Sequence, residues 1–377
     1  MTRQRARTLA LGALALLLVG FVLAQAFRDV TPPNVWTELE ERHETGAPFT
    51  LFLSADEPVT YDVTYGEERR TAVAQDVTFE FTAKAGSSPL DVQATDGAGN
   101  VTTLTRIIQG VTLAEPTLTV QGGSLPGRAF TVLVSHEAGP IAEPTLRIDG
   151  RDAPLLTAPD GLYALGATPL TTEAGFLPLA LSWRDALDRD AARTSAVRYG
   201  DLPTAVQELN IPASTLSVIT PEGRERENAA IEAARTDPFD PPRWSEPFLL
   251  PIEGRGTSGF AIPRRYAPGG PVSFHEGEDI AAPTGTPVAA TNTGLVRVAG
   301  MYPIKGGMVI LDHGAGVTSR YYHLSRILVS EGDEIEVGTI LGEVGSTGLS
   351  TGPHLHWEIR VAGRPTNPLD WVGRVRP

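Results

Sequence analysis

Two histidines stand two residues apart near the C terminus of the 377-residue chain, in the run Gly352-Pro-His354-Leu-His356. The alternating residues after the Gly-Pro turn predict a β-strand, in which successive side chains point to opposite faces. His354 and His356 therefore share one face. Two neighbouring imidazoles provide either half of a metal site or one metal ligand beside a general base.

A second pair of candidate ligands precedes this strand in the sequence. His275 and Asp279 are four residues apart with Gly277 between them, and glycine allows the tight backbone that would turn both side chains to one point. Together with one imidazole of the later pair they form a His-Asp-His set. Three protein ligands with a fourth position left for water are typical of catalytic zinc, whereas structural zinc has four protein ligands.

Four motifs in this order resemble the lysostaphin-type, or LytM-domain, zinc metallopeptidases, which cut peptide bonds in bacterial cell-wall peptidoglycan. The resemblance covers about residues 258–372, less than a third of the chain. It implies one Zn²⁺ ion bound by His275, Asp279 and His356, with His323 and His354 as catalytic histidines. The motifs are His275-x-Gly-x-Asp279, Pro283-x-Gly-Thr-Pro-Val, Tyr321-x-His323-Leu-Ser and Gly352-Pro-His354-Leu-His356.

The chemistry of these side chains agrees with the roles that the resemblance implies. Zinc polarises a scissile carbonyl and lowers the pKa of bound water toward about 7. An imidazole, with an unperturbed pKa of about 6.5, can take the proton of that water. This task is assigned to His354, which shares a strand face with His356. His323 would stabilise the oxyanion or direct the proton to the leaving amine.

The remaining polar residues near these motifs are interpreted as structural. His313 is expected to have no catalytic role. Glu276 and Glu278 each adjoin a proposed ligand, so an extended chain would point them away from the metal and into solvent. Tyr321, two residues before His323, would share its face, and both substrate contact and packing remain open for it.

Composition limits the classes of function. A chain of 377 residues is expected to form two to four domains. Its 39 Gly, 31 Pro and 41% hydrophobic residues favour short strands joined by turns. The net charge of −14 argues against nucleic acid as a partner. Because there is no cysteine, disulfides and thiol chemistry are excluded.

The first 26 residues have the pattern of an export signal. Three arginines precede an uncharged apolar run, and Ala24-Gln25-Ala26 fits a signal-peptidase site. A signal peptide cleaved after Ala26 is favoured, with an uncleaved membrane anchor as the alternative. Either way the rest of the chain is exported to the periplasm or cell envelope, and only the N-terminal segment meets the membrane.

The rest of the chain is predicted to be mainly β. Residues 31–111 would form an immunoglobulin-like β domain, because the Asp-Gly-Ala-Gly-Asn turn at 96–100 resembles bacterial domains of that kind. Residues 112–200 would form a second β-sandwich. Residues 201–245 predict a short solvent-exposed helix and a Pro-stiffened linker that spaces the last domain. Residues 246–377 would form the antiparallel peptidase domain.

The predicted function is that of an exported zinc endopeptidase that hydrolyses peptide cross-links of peptidoglycan. The N-terminal β modules would position it by contacting the wall or a division protein. Two alternatives remain open. The first is a non-catalytic regulator that binds and activates a cell-wall amidase or division protein. The second is an adhesin in which the β modules are the working part.

Overall fold

The computed structural model describes residues 29–136, 141–159, 161–202, 205–209, 211, 216, 218–234, 237, 239–266 and 269–377. Strands account for 54% of the residues and helices for 5%, which confirms the prediction of a mainly β fold. Residues 1–26, the predicted signal peptide or anchor, lie outside the described ranges. Within those ranges, no helix has the length and apolar character needed to cross a bilayer.

The chain divides into two compact units. The first extends to Ala114 and includes Asp185–Arg189, and the second comprises Glu115–Arg184 and Asp190–Pro377. The first unit has a six-stranded sheet in the order β1-β3-β5-β6-β2, with β4 also paired to β3. Its strands are β1 (Val35–Glu38), β2 (Arg42–Glu44), β3 (Pro48–Tyr65), β4 (Glu68–Thr82), β5 (Gly86–Thr95) and β6 (Val101–Val111).

The core of the first unit follows from the period of its longest strand. Alternate side chains of β3, from Phe49 to Tyr65, are buried and pack with residues of β4 and β5. Asp96 closes the turn after β5, where its Oδ1 accepts the N–H groups of Ala98 and Asn100, each at 2.8 Å. The immunoglobulin-like assignment of this region stays a prediction.

The second unit begins with two four-stranded sheets, ordered β10-β9-β13-β14 and β11-β12-β8-β7. Four buried residues of β8 and β12 (Ala129, Tyr163, Leu165 and Ala167) belong to the same hydrophobic cluster as the C-terminal sheet. The second β module thus shares a core with the region that follows it. The strands are β7 (Thr117–Gly122), β8 (Ala129–Ser135), β9 (Ala142–Ile148), β10 (Arg151–Ala153), β11 (Leu156–Ala158), β12 (Gly161–Ala167), β13 (Gly175–Arg184) and β14 (Asp190–Tyr199).

The C-terminal region is built on an eight-stranded sheet in the order β16-β19-β27-β23-β22-β21-β25, with β28 paired to β27. Two three-stranded sheets, β15-β17-β18 and β20-β26-β24, accompany it. The elements are β15 (Gln207–Glu208), α1 (Pro221–Ala233), β16 (Arg255–Ser258), β17 (Pro263–Arg265), β18 (Val272–Phe274), β19 (Glu278–Ala281), β20 (Pro287–Ala289), β21 (Gly294–Tyr302), β22 (Gly306–Asp312), β23 (Val317–Leu324), β24 (Arg326–Ile327), β25 (Glu334–Ile335), β26 (Ile340–Glu343), β27 (His354–Val361), β28 (Arg364–Thr366) and the 3₁₀ helix η1 (Pro368–Asp370).

Residues 201–245 differ from the spacer that the sequence predicts. The helix is present, and Thr220 caps it by accepting the N–H of Gly223 at 3.0 Å. However, α1 packs on β21, and β15 pairs in parallel with β17. The helix ends at Ala233, and this segment lies against the C-terminal region rather than apart from it. The domain boundaries themselves stay a prediction.

Candidate active site

Strand β27 and its two neighbours assemble the centre of the site. Asp279 of β19 and Tyr322 of β23 are both register partners of His356. Because side chains alternate along β27, one face of the strand enters the core, and all of its residues there are buried. The other face carries His354, His356, Glu358 and Arg360.

Three candidate ligand atoms converge at this point. His275 Nε2 lies 3.0 Å from both Asp279 Oδ1 and His356 Nδ1, and the latter two atoms are 2.8 Å apart. All three side chains are buried. Ligands at roughly 2.0–2.2 Å in a tetrahedron stand about 3.4 Å apart. The triangle would have to open by only a few tenths of an ångström to hold a metal ion.

The outer hydrogen bonds of the two imidazoles test whether these residues fit a cation. His275 Nδ1 faces the carbonyl of Gly259 at 2.8 Å, and His356 Nε2 faces Glu358 Oε1 at 3.1 Å. Both partners only accept, so these nitrogens carry the hydrogens, and in neutral rings the inner nitrogens hold lone pairs. Two lone pairs and a carboxylate oxygen then face one another without a donor. A single divalent cation satisfies all three, so the set fits a metal ion.

The electrostatics of the site agree with this geometry. Burial alone raises the pKa of a carboxyl, but at Asp279 the two imidazoles outweigh it and hold the pKa far below its usual range. Burial lowers the pKa of His275. At His356 the carboxylates of Asp279 and Glu358 outweigh burial and raise the pKa. The centre of the triangle therefore favours positive charge.

His354 and His323 lie beside the triangle with their rings 4.7 Å apart. His354 Nε2 is 3.8 Å from Asp279 Oδ1, and its Nδ1 donates to the carbonyl of Gly352 at 2.8 Å. His323 Nδ1 donates to the carbonyl of Thr347, also at 2.8 Å. Burial and the two neighbouring histidines lower the pKa of His323 to about 3. In these tautomers the Nε2 atom of each ring bears no hydrogen and can accept one.

A β-bulge turns His323 toward the site. Gly307 to Val309 spans three residues of β22, whereas their register partners, Leu324 and Tyr321, span four residues of β23, so β23 carries one extra residue. His323 has a φ of +64° at this bulge. Regular alternation would place His323 on the core face, and the bulge re-aims its side chain instead. Tyr322, the residue before His323, stacks on His356. Their rings are nearly parallel, and the ring centroids lie 5.4 Å apart.

Tyr321 and His313 are packing residues in the structure. The Tyr321 side chain is fully buried, and its hydroxyl accepts the N–H of Thr291 at 2.8 Å. The bulge separates Tyr321 from the face of His323, so the expected shared face was wrong and packing is what the structure shows. His313 is fully buried, with its ring nitrogens bonded to Thr293 O and Ser319 Oγ.

Glu276 and Glu278 point away from the triangle but are not simply solvated, as the sequence had predicted. Glu276 pairs with Arg360, and its side chain is 44% exposed. Glu278 is half-buried and accepts the N–H of Phe260 at 3.1 Å. Burial raises the pKa of Glu278. The difference arises because Arg360 of β27 and Phe260, in the segment after β16, are partners that the sequence does not show.

Two residues that support the triangle were missed from the sequence. Arg264 is buried and donates to Asp279 Oδ2 at 2.9 Å and to Ser258 Oγ. Glu358 is fully buried between His356 and Arg360, whose Nε lies 2.7 Å from Glu358 Oε2. The two-residue spacing from His356 could have predicted Glu358. Arg264 gave no such signal, since it lies on β17, outside the strands of the main sheet.

A buried His-Asp-His set beside two further imidazoles, on an antiparallel sheet, is typical of metal-dependent hydrolases. Residues 273–368 match the family described as Peptidase family M23. The chain thus carries a peptidase domain of that family, of the LytM or lysostaphin type.

Several known proteins are similar to part of the chain. Peptidoglycan DD-endopeptidase ShyA of Vibrio cholerae is 44% identical over 108 residues, which is 29% of this chain and 24% of ShyA. DD-carboxypeptidase/endopeptidase Mpg of Neisseria meningitidis is 46% identical over 26% of this chain and 22% of Mpg. The catalytic domain of lysostaphin from Staphylococcus simulans is 30% identical, with a TM-score of 0.28, over 31% of this chain and 90% of that domain. The chain spans about a quarter of the length of ShyA and of Mpg.

Proposed function

We propose that this chain is a zinc-dependent endopeptidase that hydrolyses peptide cross-links of bacterial peptidoglycan. The observation that carries the proposal is the convergence of His275, Asp279 and His356 on one buried point, with two further imidazoles beside it. The names of the similar proteins support peptidoglycan as the substrate. Zinc is the metal that suits two imidazoles and one carboxylate with a position left open.

The geometry supports distinct tasks for the two histidines outside the triangle. Bound zinc supplies a Lewis acid that polarises the scissile carbonyl and lowers the pKa of water. His354, whose Nδ1–H is held by Gly352, presents Nε2 as the base that takes the proton of the attacking water. His323 Nε2 bears no hydrogen while Nδ1 donates to Thr347. In this tautomer His323 Nε2 can accept a hydrogen but cannot donate one to an oxyanion, so His323 would direct to the leaving amine the proton that His354 takes from the water.

The location and the role of the β modules belong to the same proposal. An enzyme that acts on peptidoglycan needs access to the cell envelope, which agrees with export directed by residues 1–26. We further propose that the modules position the peptidase domain by contacting the wall or a division protein. Cleavage of the N-terminal segment after Ala26 stays the favoured prediction of the sequence, with an uncleaved membrane anchor as the alternative.

Digestion of purified peptidoglycan tests the proposal. The zinc-loaded protein is expected to release products whose masses show hydrolysed cross-links, and His354→Ala is expected to release none above background. His136→Ala is the matched control, because it removes a histidine from the second β module. Equal product release by the wild type and His354→Ala would contradict the mechanism. An inactive wild type that stimulates a wall amidase would instead support the regulator.

A further inference from the structure

Helix α1 carries a buried carboxylate that points at the active-site region. Glu227 is 3% exposed, although Glu222 and Glu225 on the same helix are exposed. Its Oε2 accepts the N–H groups of Ile304 at 3.1 Å and Lys305 at 2.9 Å. A buried charge is costly unless it is hydrogen-bonded, and two backbone donors provide that compensation here.

The turn that Glu227 holds is bonded directly to His323. The carbonyl of Lys305 accepts the backbone N–H of His323 at 2.9 Å. The carbonyl of Ile304 accepts the N–H of Leu349 at 2.8 Å, in the loop whose Thr347 carbonyl receives His323 Nδ1–H. The turn therefore supports His323 both through its backbone and through the loop that fixes its imidazole.

His323 depends on such support because of its backbone conformation. A non-glycine residue with positive φ costs about 1–3 kcal/mol and persists only where its surroundings hold it in place. His323 has a φ of +64° at the bulge of β23, and this bulge turns its ring toward His354. If the turn at 304–305 were released, the bulge would lose one of the contacts that maintain it.

The helix itself is fixed by packing. Ala230 and Ile231 pack against a buried cluster formed by Ala234, Val298, Met308, Ile310 and Tyr322. At the start of the helix, a Cβ added to Gly223 would lie 3.1 Å from Pro303, so the backbones are close there. Contacts at both ends therefore hold Glu227 at a fixed distance from the turn.

We propose that Glu227 is a positioning residue that holds the Ile304–Lys305 turn and thereby the bulge that aims His323. Helix α1 is then a working part of the peptidase, although it lies about forty residues before the first motif. The effect on catalysis rests on the proposed peptidase function. The effect on the turn is independent of that function.

The test uses the full chain with three substitutions at Glu227 and one control. Glu227→Ala removes the acceptor, and Glu227→Asp shortens it with a smaller cavity in case the alanine variant does not fold. Glu227→Gln keeps an oxygen that can accept both N–H groups. Glu225→Ala is the control, because it removes an exposed carboxylate from the same helix.

Hydrogen exchange, zinc affinity and hydrolysis of a purified cross-linked muropeptide dimer are measured for each protein. In Glu227→Ala or Glu227→Asp, we expect faster exchange in the peptide covering residues 303–324 and unchanged zinc affinity. We expect kcat to fall about 10- to 100-fold with KM nearly constant. Glu227→Gln should recover most of kcat, and the control should match the wild type.

Two outcomes would overturn the inference. One is wild-type exchange at residues 303–324 in Glu227→Ala or Glu227→Asp, which decides the matter even if the wild type hydrolyses nothing. The other is an accelerated exchange with unchanged kcat, which would show that the turn does not position His323. An inactive wild type with accelerated exchange in the variants would refute the peptidase function and leave the support of the turn by Glu227 standing.

Discussion

Replacement of Glu358 by glutamine should weaken zinc binding without removing a proposed ligand. The carboxylate uses Oε1 for His356 Nε2 and Oε2 for Arg360 Nε. Glutamine has nearly the same shape but only one oxygen, so it can accept from one of these two donors. If the amide nitrogen faces His356, the imidazole loses the acceptor that keeps Nδ1 free for the metal.

The structure gives the size of the effect. Loss of the outer partner of a ligand histidine typically reduces metal affinity about 10- to 100-fold, or about 1.4–2.7 kcal/mol. Stability should also fall, because Glu358 pairs with Arg360 and has Lys305 and Arg320 at 3.9 Å. Loss of one partner of a buried ion pair costs about 3–5 kcal/mol. Nearby cations hold the pKa of Glu358 well below its ordinary value, so the charge is present at neutral pH.

Competition with a chromogenic zinc chelator measures the affinity, and urea unfolding of the metal-free protein measures the stability. Glu334→Gln, at an exposed position of β25, is the matched control and should change neither quantity. Wild-type zinc affinity in a folded Glu358→Gln protein would refute the reasoning. It would show that Gly259 and Arg264 orient the site without help from Glu358.

Two further predictions concern metal removal and pH. Zinc at about 1,000 times its Kd should stabilise the folded chain by about 4 kcal/mol, so chelation should lower the melting temperature; an unchanged melting point would argue against a site in the folded state. Burial lowers the pKa of His313 to about 4. Protonation of His313 therefore favours the unfolded chain. The contribution of the neutral imidazole to the free energy of unfolding should be complete above about pH 6.5 and should fall by about 3 kcal/mol as the pH falls toward 4. The slope should be shallower in His313→Gln, where the buried His323 still contributes a part of it, as urea unfolding at several pH values can check.

The sequence predicted the candidate metal ligands and the two neighbouring histidines better than the residues that support them. The resemblance of four motifs to a known peptidase family led to the five residues that the structure brings together, and period-two alternation could have added Glu358. Alternation failed to predict the face of Tyr321, because the bulge in β23 shifts the period of two. The residue types in Tyr321-Tyr-His323 do not indicate such a bulge. The sequence predicts a solvent-exposed, charged helix around Glu227. It does not show that this side chain is buried, because its partners Ile304 and Lys305 lie 77 and 78 residues further along the chain.

The core shared by the second β module and the C-terminal sheet limits how this chain can be shortened or recombined. A fragment starting at residue 246 would expose the apolar side chains that Tyr163, Leu165 and Ala167 now cover, and such surfaces promote aggregation. Transplanting the catalytic part into another polypeptide would call for a cut near residue 115, where the second compact unit begins.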